Sequence, residues 1–338
     1  IKVDVPQFRS RFLELYHTRY RRPLKDYFVA SLEVMLPALA TMPGLVNWAL
    51  ATPWVQRVMA RWVGIVDTPQ LSSINLAREL RRRGAPSYDP DALAQLPATA
   101  KQSSVLLLQD AFTTFYEANV VLACYDLLTR LGFNVYVLPF RENGKGLHVK
   151  GFLGRFGRVV QANAPFLEDA ARTGIDIIGL DPAVVLTYRD EYREVLGSST
   201  AYRVELVQEW LAAKLRTFDT PLEPRARGAF QLFGHCTERT AEPHSQAQWA
   251  SVFAAFGSTL KLVELGCCGM CGAYGHETIH RDESEGVFAM SWARALPESE
   301  AERAHVLATG HSCRSQVKRF AGFVPLHPLE ALEALTRD

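Results

Sequence analysis

The 338-residue chain lacks most of the compositional marks of specialised protein classes. Its 37 Lys and Arg balance 36 Asp and Glu, so no excess of positive charge indicates nucleic acid as a partner. Six cysteines are too few to hold a chain of this length together as a disulfide scaffold. With 48% hydrophobic and 22% charged residues, the composition is that of an ordinary globular protein, which excludes a disordered or coiled-coil chain.

The common catalytic motifs are missing as well. The sequence has no P-loop, no G-x-S-x-G and no H-E-x-x-H pattern, and the glycines between 144 and 157 do not form a dinucleotide-binding turn. We therefore expect no catalytic residue and no FAD-binding residue in this chain. The first residues lack an initiator Met and the segments of a signal peptide, so we expect further domains upstream on the same polypeptide.

Residues 1–100 are predicted to form a helical region. Apolar residues recur at helical spacings of three and four: Phe8, Phe12, Leu15, Tyr16, Tyr20 and Leu24. Residues 34–56 contain no charged residue, a length that raises the question of a membrane span. Because three prolines (Pro37, Pro43 and Pro53) interrupt this stretch, we expect short apolar helices that lie on protein or touch a membrane peripherally. Residues 87–97 are predicted to be a linker.

After about residue 100 the pattern changes to alternating strands and helices, which predicts parallel sheets covered by helices on both faces. The apolar runs predicted to be strands are 105–108, 133–138, 175–180, 230–233, 259–265 and 305–308. Helices are predicted at about 116–131, 246–256 and 287–296. A long helix at about 201–215 is expected to bridge the two series of strands.

The two series resemble copies of each other. Setting Ala111 opposite Cys236 places 142–144 opposite 267–269, with an interval of 31 residues in both copies. Ala183 then falls opposite Cys313, with intervals of 41 and 46 residues. We predict an α/β fold with two lobes related by a pseudo-two-fold axis, preceded by the helical region. The predicted divisions are 1–100, a first lobe at 101–198, a bridging helix and linker at 199–227, and a second lobe at 228–338.

Cysteines cluster in the second copy only. Cys236, the pair Cys267-Cys268, and Cys313 each follow a predicted strand, and the carboxyl ends of parallel strands meet at one edge of a sheet. Several thiolates in one place call for a cation, and soft thiolates select iron–sulfur clusters or zinc. Cys271 is a fifth candidate ligand or an incidental residue. Cysteines without an export signal favour the reducing cytoplasm.

Histidines lie next to these cysteines in the sequence. His235, His276 and His311 are candidates to donate hydrogen bonds to sulfur and so to tune a metal centre. Their alternative interpretation, as polar loop residues near the surface, is equally consistent with the sequence. Because the first copy has no cysteine at the matching positions, we expect it to bind no metal. Cys124 is expected to be a small core residue.

The pattern of Cys236, Cys267-Cys268-Gly269 and Cys313 resembles the cysteine-rich CCG domain, which occurs in heterodisulfide reductases and in the iron–sulfur subunits of glycolate oxidases. Residues 143–153 are similar to a degenerate first copy of its loop. One departure is that the family's terminal CxxC reads Gly-His-Ser-Cys at 310–313, so its first cysteine is missing.

The resemblance extends to segments 1–27, 266–277 and 310–316, which together are similar to the C-terminal part of large fused bacterial FAD-linked oxidases, a family that includes D-2-hydroxyglutarate dehydrogenases. It implies a 4Fe-4S-type iron–sulfur electron-transfer module of an FAD-linked dehydrogenase acting on a 2-hydroxyacid of the D-2-hydroxyglutarate, lactate or glycolate type. FAD and a ferredoxin motif would belong to upstream domains of the same polypeptide.

The resemblance implies a quinone or a carrier protein as electron acceptor, and a cytoplasmic location that allows peripheral contact with the inner face of the membrane. Two alternatives remain open from the residues. One is a structural zinc domain that docks to the flavin module, and the other is a thiol–disulfide redox site at the Cys267-Cys268 pair.

Overall fold

The computed structural model describes residues 5–197, 200–217 and 228–337, which form an N-terminal helical region and two α/β lobes. The helices of the first region are α1 (Val5–Arg19), α2 (Leu24–Leu39), α3 (Pro43–Ala51), α4 (Pro53–Val58), α5 (Leu76–Arg82), α6 (Pro90–Ala94) and α7 (Ala98–Gln102). A π-helical turn, Met59–Val63, continues α4. The predicted helical region is confirmed.

Prolines divide the apolar stretch 34–56, although not at all three positions. Pro43 and Pro53 each stand at the start of a helix. A backbone N–H at that position has no hydrogen-bond partner within the helix, so proline, which lacks the N–H, is tolerated there. Pro37 lies inside α2 and does not end it. Across the described ranges, no helix is both long and apolar enough to cross a membrane. The predicted linker contains α6, which Asp89 caps.

The first lobe contains a four-stranded parallel sheet in the order β2-β1-β3-β4. Its strands are β1 (Ser104–Leu107), β2 (Asn134–Val137), β3 (Asp176–Gly179) and β4 (Val204–Leu206). The helices that accompany them are α8 (Ala111–Phe115), α9 (Ala118–Arg130), α10 (Lys145–Val149), α11 (Leu153–Arg172), α12 (Pro182–Arg189), α13 (Glu191–Leu196) and α14 (Val207–Leu215).

The second lobe contains a three-stranded parallel sheet in the order β6-β5-β7. Its strands are β5 (Ala229–Phe233), β6 (Thr259–Leu262) and β7 (Val306–Ala308). The helices are α15 (Cys236–Ala241), α16 (Ser245–Ala255), α17 (Arg281–Met290), α18 (Trp292–Ala295), α19 (Glu300–Arg303), α20 (His311–Ala321) and α21 (Pro328–Leu335). Two 3₁₀ turns, Tyr274–His276 and Thr278–His280, precede α17. The predicted α/β class with parallel sheets is confirmed.

Two of the predicted helices were wrong in detail. The range 201–215 begins with β4, which pairs with β3, and becomes helical only at Val207. Val204 and Leu206 are buried and alternate with Glu205, which is the period of a strand. The helix predicted at 287–296 is broken at Ser291, whose Oγ accepts a hydrogen bond from the Gly266 N–H at 2.7 Å. Residues 218–227 of the predicted linker lie outside the described residues.

Strand register shows that the two lobes share a topology. In each lobe the first strand is central, and the second and third strands flank it on opposite sides. The first residue of β1 pairs with that of β2, 30 residues on, and the first residue of β5 pairs with that of β6 at the same interval. Ala111 and Cys236 each begin the helix after the first strand, as the alignment predicts.

The third element of the repeat differs from the prediction by one residue. The helix after the third strand begins at Pro182 in the first lobe and at His311 in the second. The pairing of the third strand with the first strand gives the same residue correspondence between the lobes. Cys313 is the third residue of its helix, so its counterpart is Val184 rather than Ala183. The position is apolar in the first lobe in either alignment.

Helices from both lobes enclose a shared core. α9 packs on α21, and α14 packs on α16, so a helix near the start of each lobe meets the last helix of the other. This is the exchange that a pseudo-two-fold axis produces. The four helices bury one continuous apolar cluster between the two sheets, which leaves the carboxyl edges of both sheets free to form sites.

Candidate metal centre

The cysteines stand at the carboxyl edge of the second sheet. Cys236 is the first residue of α15, directly after β5. Cys267 and Cys268 lie in the loop after β6, and Cys313 lies in the first turn of α20, after β7. All are free cysteines, and Cys268 and Cys313 are buried in the apolar cluster of this lobe.

The four thiols lie close enough together to influence one another's protonation. Cys236 interacts with Cys267, Cys267 with Cys268, and Cys268 with Cys313. Because its neighbours donate to its sulfur, the pKa of Cys267 lies far below a thiol's ordinary value. Interaction with Cys267 is the chief cause that raises the pKa of Cys236 and of Cys268, and burial adds to it. Three loops that are far apart in the sequence therefore bring four thiols to one place.

The loop that carries the Cys267-Cys268 pair is held from several sides. The Gly269 N–H points at the Cys267 sulfur at 3.4 Å. Gly269 has φ of +88°, and a Cβ there would stand 2.3 Å from the Ser284 backbone oxygen, so only glycine fits. Ser284 in turn donates to the Gly269 carbonyl at 2.9 Å, and Arg239 donates to the Leu265 carbonyl. These contacts position the pair before any ligand arrives.

Cys271 and Cys124 stand apart from the four contacting thiols. Cys271 is exposed, with φ of +43°, and partial desolvation of its thiol together with the nearby Cys267 raises its pKa. Cys124 lies on α9 in the core between the sheets, where burial raises the pKa of its thiol. The structure thus groups four of the five predicted ligands and leaves Cys271 at the rim.

Of the three predicted histidines, only His235 borders the thiols. It precedes Cys236 and is buried, and burial lowers its pKa. Its Nε2 lies 3.3 Å from the Ser312 Oγ, and its Nδ1 has no hydrogen-bond partner within the described structure. Gly310 makes room for it, since a Cβ there would meet the imidazole at 2.3 Å.

The other two histidines face elsewhere. His311 stacks on Phe112 of the first lobe at 5.2 Å, and its Nδ1 lies 3.0 Å from the Glu117 Oε2. His276 lies with its Nδ1 3.1 Å from the carbonyl oxygen of Val66 in the N-terminal region, and burial lowers its pKa to about 4. Both therefore link parts of the fold.

The donor set suits a soft metal, although it is not arranged around a single ion. Within the described ranges, no group of three or more His, Cys, Asp or Glu side chains is placed to hold one metal ion. In an iron–sulfur cluster the thiolates are spread over several irons, so ligands need not converge on a point. Four thiols and a backbone amide directed at sulfur fit such a group chemically.

In the first lobe, a carboxylate occupies the corresponding position. The loop at 142–144, counterpart of 267–269, directs the N–H groups of Asn143 and Gly144 at the Glu33 Oε2, at 2.7 and 2.8 Å. Gly144 has φ of +80°, close to that of Gly269. Glu33 comes from α2 and is buried, and burial raises its pKa. The loop thus keeps its anion-binding backbone and receives a carboxyl group from the N-terminal region.

Buried acidic residues also cap the first-lobe helices at this edge. Asp110 accepts from the N–H groups of Phe112 and Thr113, and Asp181 accepts from that of Ala183. A second oxygen of Asp181 accepts from the His311 N–H of the other lobe at 3.2 Å. Sequence analysis missed Glu33, Asp110 and Asp181. The two aspartates could have been predicted as helix N-caps, since each stands just after a strand and directly before a helix, where aspartate is preferred.

Comparison with known proteins finds relatives that share one name. The chain is 45% identical over 98% of its length to D-2-hydroxyglutarate dehydrogenase of Pantoea ananatis, 44% identical to that of Escherichia coli, and 45% identical to that of Pseudomonas putida. It spans about a third (32%) of the length of these relatives. The predicted resemblance to D-2-hydroxyglutarate dehydrogenases is confirmed. No family model matches the chain.

Among solved structures, a hypothetical protein from Helicobacter pylori is similar at 11% identity, with a TM-score of 0.42. The alignment covers 100% of this chain and 73% of that one, a likeness too weak to carry an argument.

Proposed function

We propose that the chain is the iron–sulfur electron-transfer module of an FAD-linked D-2-hydroxyacid dehydrogenase, with Cys236, Cys267, Cys268 and Cys313 as the cluster ligands. One observation carries the proposal. Four thiols from three separate loops contact one another at the carboxyl edge of one sheet, and the matching edge of the other lobe has none. A 4Fe-4S-type cluster bound there would supply one-electron transfer.

The surrounding residues suit a negatively charged group of this kind. The Gly269 N–H already points at sulfur, and amide donors of this type stabilise the reduced, more negative state of a centre. The positive charges of Lys145 and Arg314 act on His235 beside the thiols, and Arg9 acts on Cys271 at the rim. His235, whose Nδ1 is unpartnered in the described structure, is the histidine we propose to adjust the centre.

The relatives supply the reaction class. Their name, D-2-hydroxyglutarate dehydrogenase, leads us to propose oxidation of this 2-hydroxyacid by the whole polypeptide, with this chain as its C-terminal third. FAD and a ferredoxin module would lie in the other two-thirds, and electrons would leave for a quinone or a carrier protein. The cysteine usage supports a cytoplasmic location.

Two other uses of the same thiols follow from specific observations. Cys268 and Cys313 lie within the apolar cluster of the second lobe, so a zinc ion on these thiols would link its loops as a structural element. Alternatively, the neighbouring thiols lower the pKa of Cys267, and a lowered pKa beside a second thiol is what a thiol–disulfide site requires.

Metal analysis of anaerobically prepared protein distinguishes the three uses. After reconstitution with iron and sulfide, we expect iron and acid-labile sulfide in similar amounts, visible absorption, and an EPR signal on reduction. The variant Cys267→Ala should lose the iron, while Cys124→Ala, the same change in the other lobe, should retain it. Zinc without sulfide would support the structural alternative. A Cys267–Cys268 disulfide found by mass spectrometry, with no metal bound, would support the redox alternative.

The dehydrogenase context has its own test in the longer polypeptide. Cys267→Ala should leave reduction of the flavin by D-2-hydroxyglutarate intact and should abolish reduction of an external acceptor. Equal loss of both steps would contradict an electron-transfer role for this site.

A further inference from the structure

The outer surface of α3, α4 and the π turn is apolar and rich in tryptophan. Trp48, Trp54 and Trp62 are 69%, 61% and 71% exposed. Leu45 and Val58, one helical turn from Trp48 and Trp54 respectively, are exposed beside them. We call this the tryptophan surface. The other three tryptophans of the chain are all buried in the lobes, so this exposure is particular to the segment.

The inner side of the same helices is also apolar, and the fold covers it. Val46 packs against the cluster around Leu36 and Leu71. Asn47 fixes α3 to the body with two hydrogen bonds to the backbone of Leu71, both 2.8 Å long. A helix that is apolar on both sides is usually covered on both sides, so the outer face calls for a partner.

Charge identifies the kind of partner. Between residues 34 and 66 the only charged residues are Arg57 and Arg61, and both are exposed. Among the ion pairs of the described residues neither arginine takes part: the Arg57 Nε donates to the Pro53 carbonyl at 3.3 Å, and the Arg61 guanidinium lies 6.0 Å from the Trp62 ring. An apolar face with exposed indoles, unpaired arginines and no acidic residue matches the boundary of an anionic lipid layer, where indoles sit at headgroup depth and arginines meet phosphates.

We propose that the tryptophan surface binds an anionic lipid bilayer peripherally, with Trp48, Trp54 and Trp62 at headgroup depth and Arg57 and Arg61 against lipid phosphates. The short helices would lie in the plane of the interface. The segment also leads to the cysteine lobe. The Val66 N–H donates to the His276 carbonyl at 2.8 Å, and the Thr278 N–H donates to the Gly64 carbonyl at 3.0 Å. Lipid contact thus occurs on a segment attached to the residues that follow Cys271.

Vesicle flotation with the longer polypeptide, prepared without metal, tests the proposal. We expect binding to vesicles of phosphatidylglycerol and phosphatidylethanolamine, and much weaker binding to phosphatidylcholine alone. Brominated lipids should quench part of the tryptophan fluorescence and leave the emission of the buried Trp210, Trp249 and Trp292 in place. The double variant Trp54→Ser/Trp62→Ser should reduce partitioning roughly tenfold for each indole removed.

Two further variants test the contribution of the arginines and whether binding is specific to this surface. Arg57→Gln/Arg61→Gln should weaken binding to anionic vesicles and leave the residual binding to phosphatidylcholine unchanged. Met290→Ser removes an apolar side chain that is 64% exposed on α17, outside the surface, and should bind as the unaltered chain does. Absence of flotation, an equal loss in Met290→Ser, or shielding of the indoles without lipid, by upstream domains or in a stable dimer, would each overturn the proposal. Because none of these readouts involves iron, their failure would leave the proposed function standing.

Discussion

The backbone N–H of Gly144 donates to the Glu33 carboxylate at 2.8 Å, in the place where the second lobe directs an N–H at a cysteine sulfur. The two loops occupy equivalent positions after the second strand of each sheet, and both use a glycine with positive φ. The loop conformation is therefore not specific to cysteine. It presents backbone donors to whatever anion the surroundings supply, a thiolate in one lobe and a side chain from α2 in the other.

Removal of the Glu33 carboxylate should destabilise the junction of α2 with the first lobe. Glu33→Ala leaves the N–H groups of Asn143 and Gly144 buried without acceptors, at an expected cost of about 2 kcal/mol or more in the free energy of unfolding. Glu33→Gln keeps one oxygen acceptor and should cost less. Urea unfolding followed by circular dichroism measures both. Glu168→Ala on the exposed side of α11 is the control, and an equal effect there would contradict the assignment.

Gly269 should be intolerant of a side chain. Gly269→Ala places a Cβ in the left-handed region against the Ser284 backbone oxygen, so we expect loss of iron after reconstitution and lower stability. Gly286→Ala on α17 makes the same change where a Cβ meets no atom within 4 Å. It should retain iron and gain stability of roughly 0.5–1 kcal/mol, since alanine is the better helix former. Iron content and thermal unfolding of both variants check this.

Among the cysteines, Cys313 should be required for metal binding and Cys271 should not. Cys313 belongs to the contacting chain of thiols, while Cys271 is exposed at the rim. We expect Cys313→Ser to lose most of its iron and Cys271→Ser to retain it. Iron retention in Cys313→Ser together with loss in Cys271→Ser would reassign the fourth ligand.

The ion pair of Glu117 with Arg314 should hold the two lobes together. Arg314 is buried, donates to Glu117 with its Nε at 2.9 Å, and donates to the Ala308 carbonyl at 2.6 Å. Proximity of Arg314 and His311 lowers the pKa of Glu117 despite its burial. Glu117→Ala leaves a buried guanidinium unpaired, with an expected loss of about 3–5 kcal/mol in chemical unfolding. Asp169→Ala, which breaks an exposed pair on α11, should change stability by less than about 0.5 kcal/mol.

Asp110 should make stability depend on pH. Burial, together with the nearby Asp181 carboxylate, raises the pKa of Asp110 from 3.8 to about 6. The folded chain then keeps a proton that the unfolded chain loses, so this contribution is greatest at low pH and declines as pH rises through roughly 4 to 6. Asp110→Asn keeps the cap and removes the titration. Its stability relative to the unaltered chain should rise by about 2–3 kcal/mol from pH 4 to pH 7. Parallel pH profiles of the two proteins would contradict this.

Much of the architecture follows from local sequence pattern. Buried parallel strands are short apolar runs, so six of the seven described strands were predicted, and the equal intervals after Ala111 and Cys236 predicted the repeat that the strand register shows. β4 was not predicted because its alternation of buried and less buried residues covers only three positions and α14 follows at once. In a window long enough to detect a helix, the helical pattern of α14 dominates.

The site was decided in part by sequence and in part by packing. That Cys236, Cys267, Cys268 and Cys313 lie near one edge follows from sequence, because the position of a residue after a parallel strand determines its edge. Which side chains meet there depends on contacts between distant segments. Glu33 reaches a loop about 110 residues away, and His311 turns to the first lobe, because helix packing between lobes and layers sets those directions. No local periodicity encodes such contacts, so only the tertiary structure decides them.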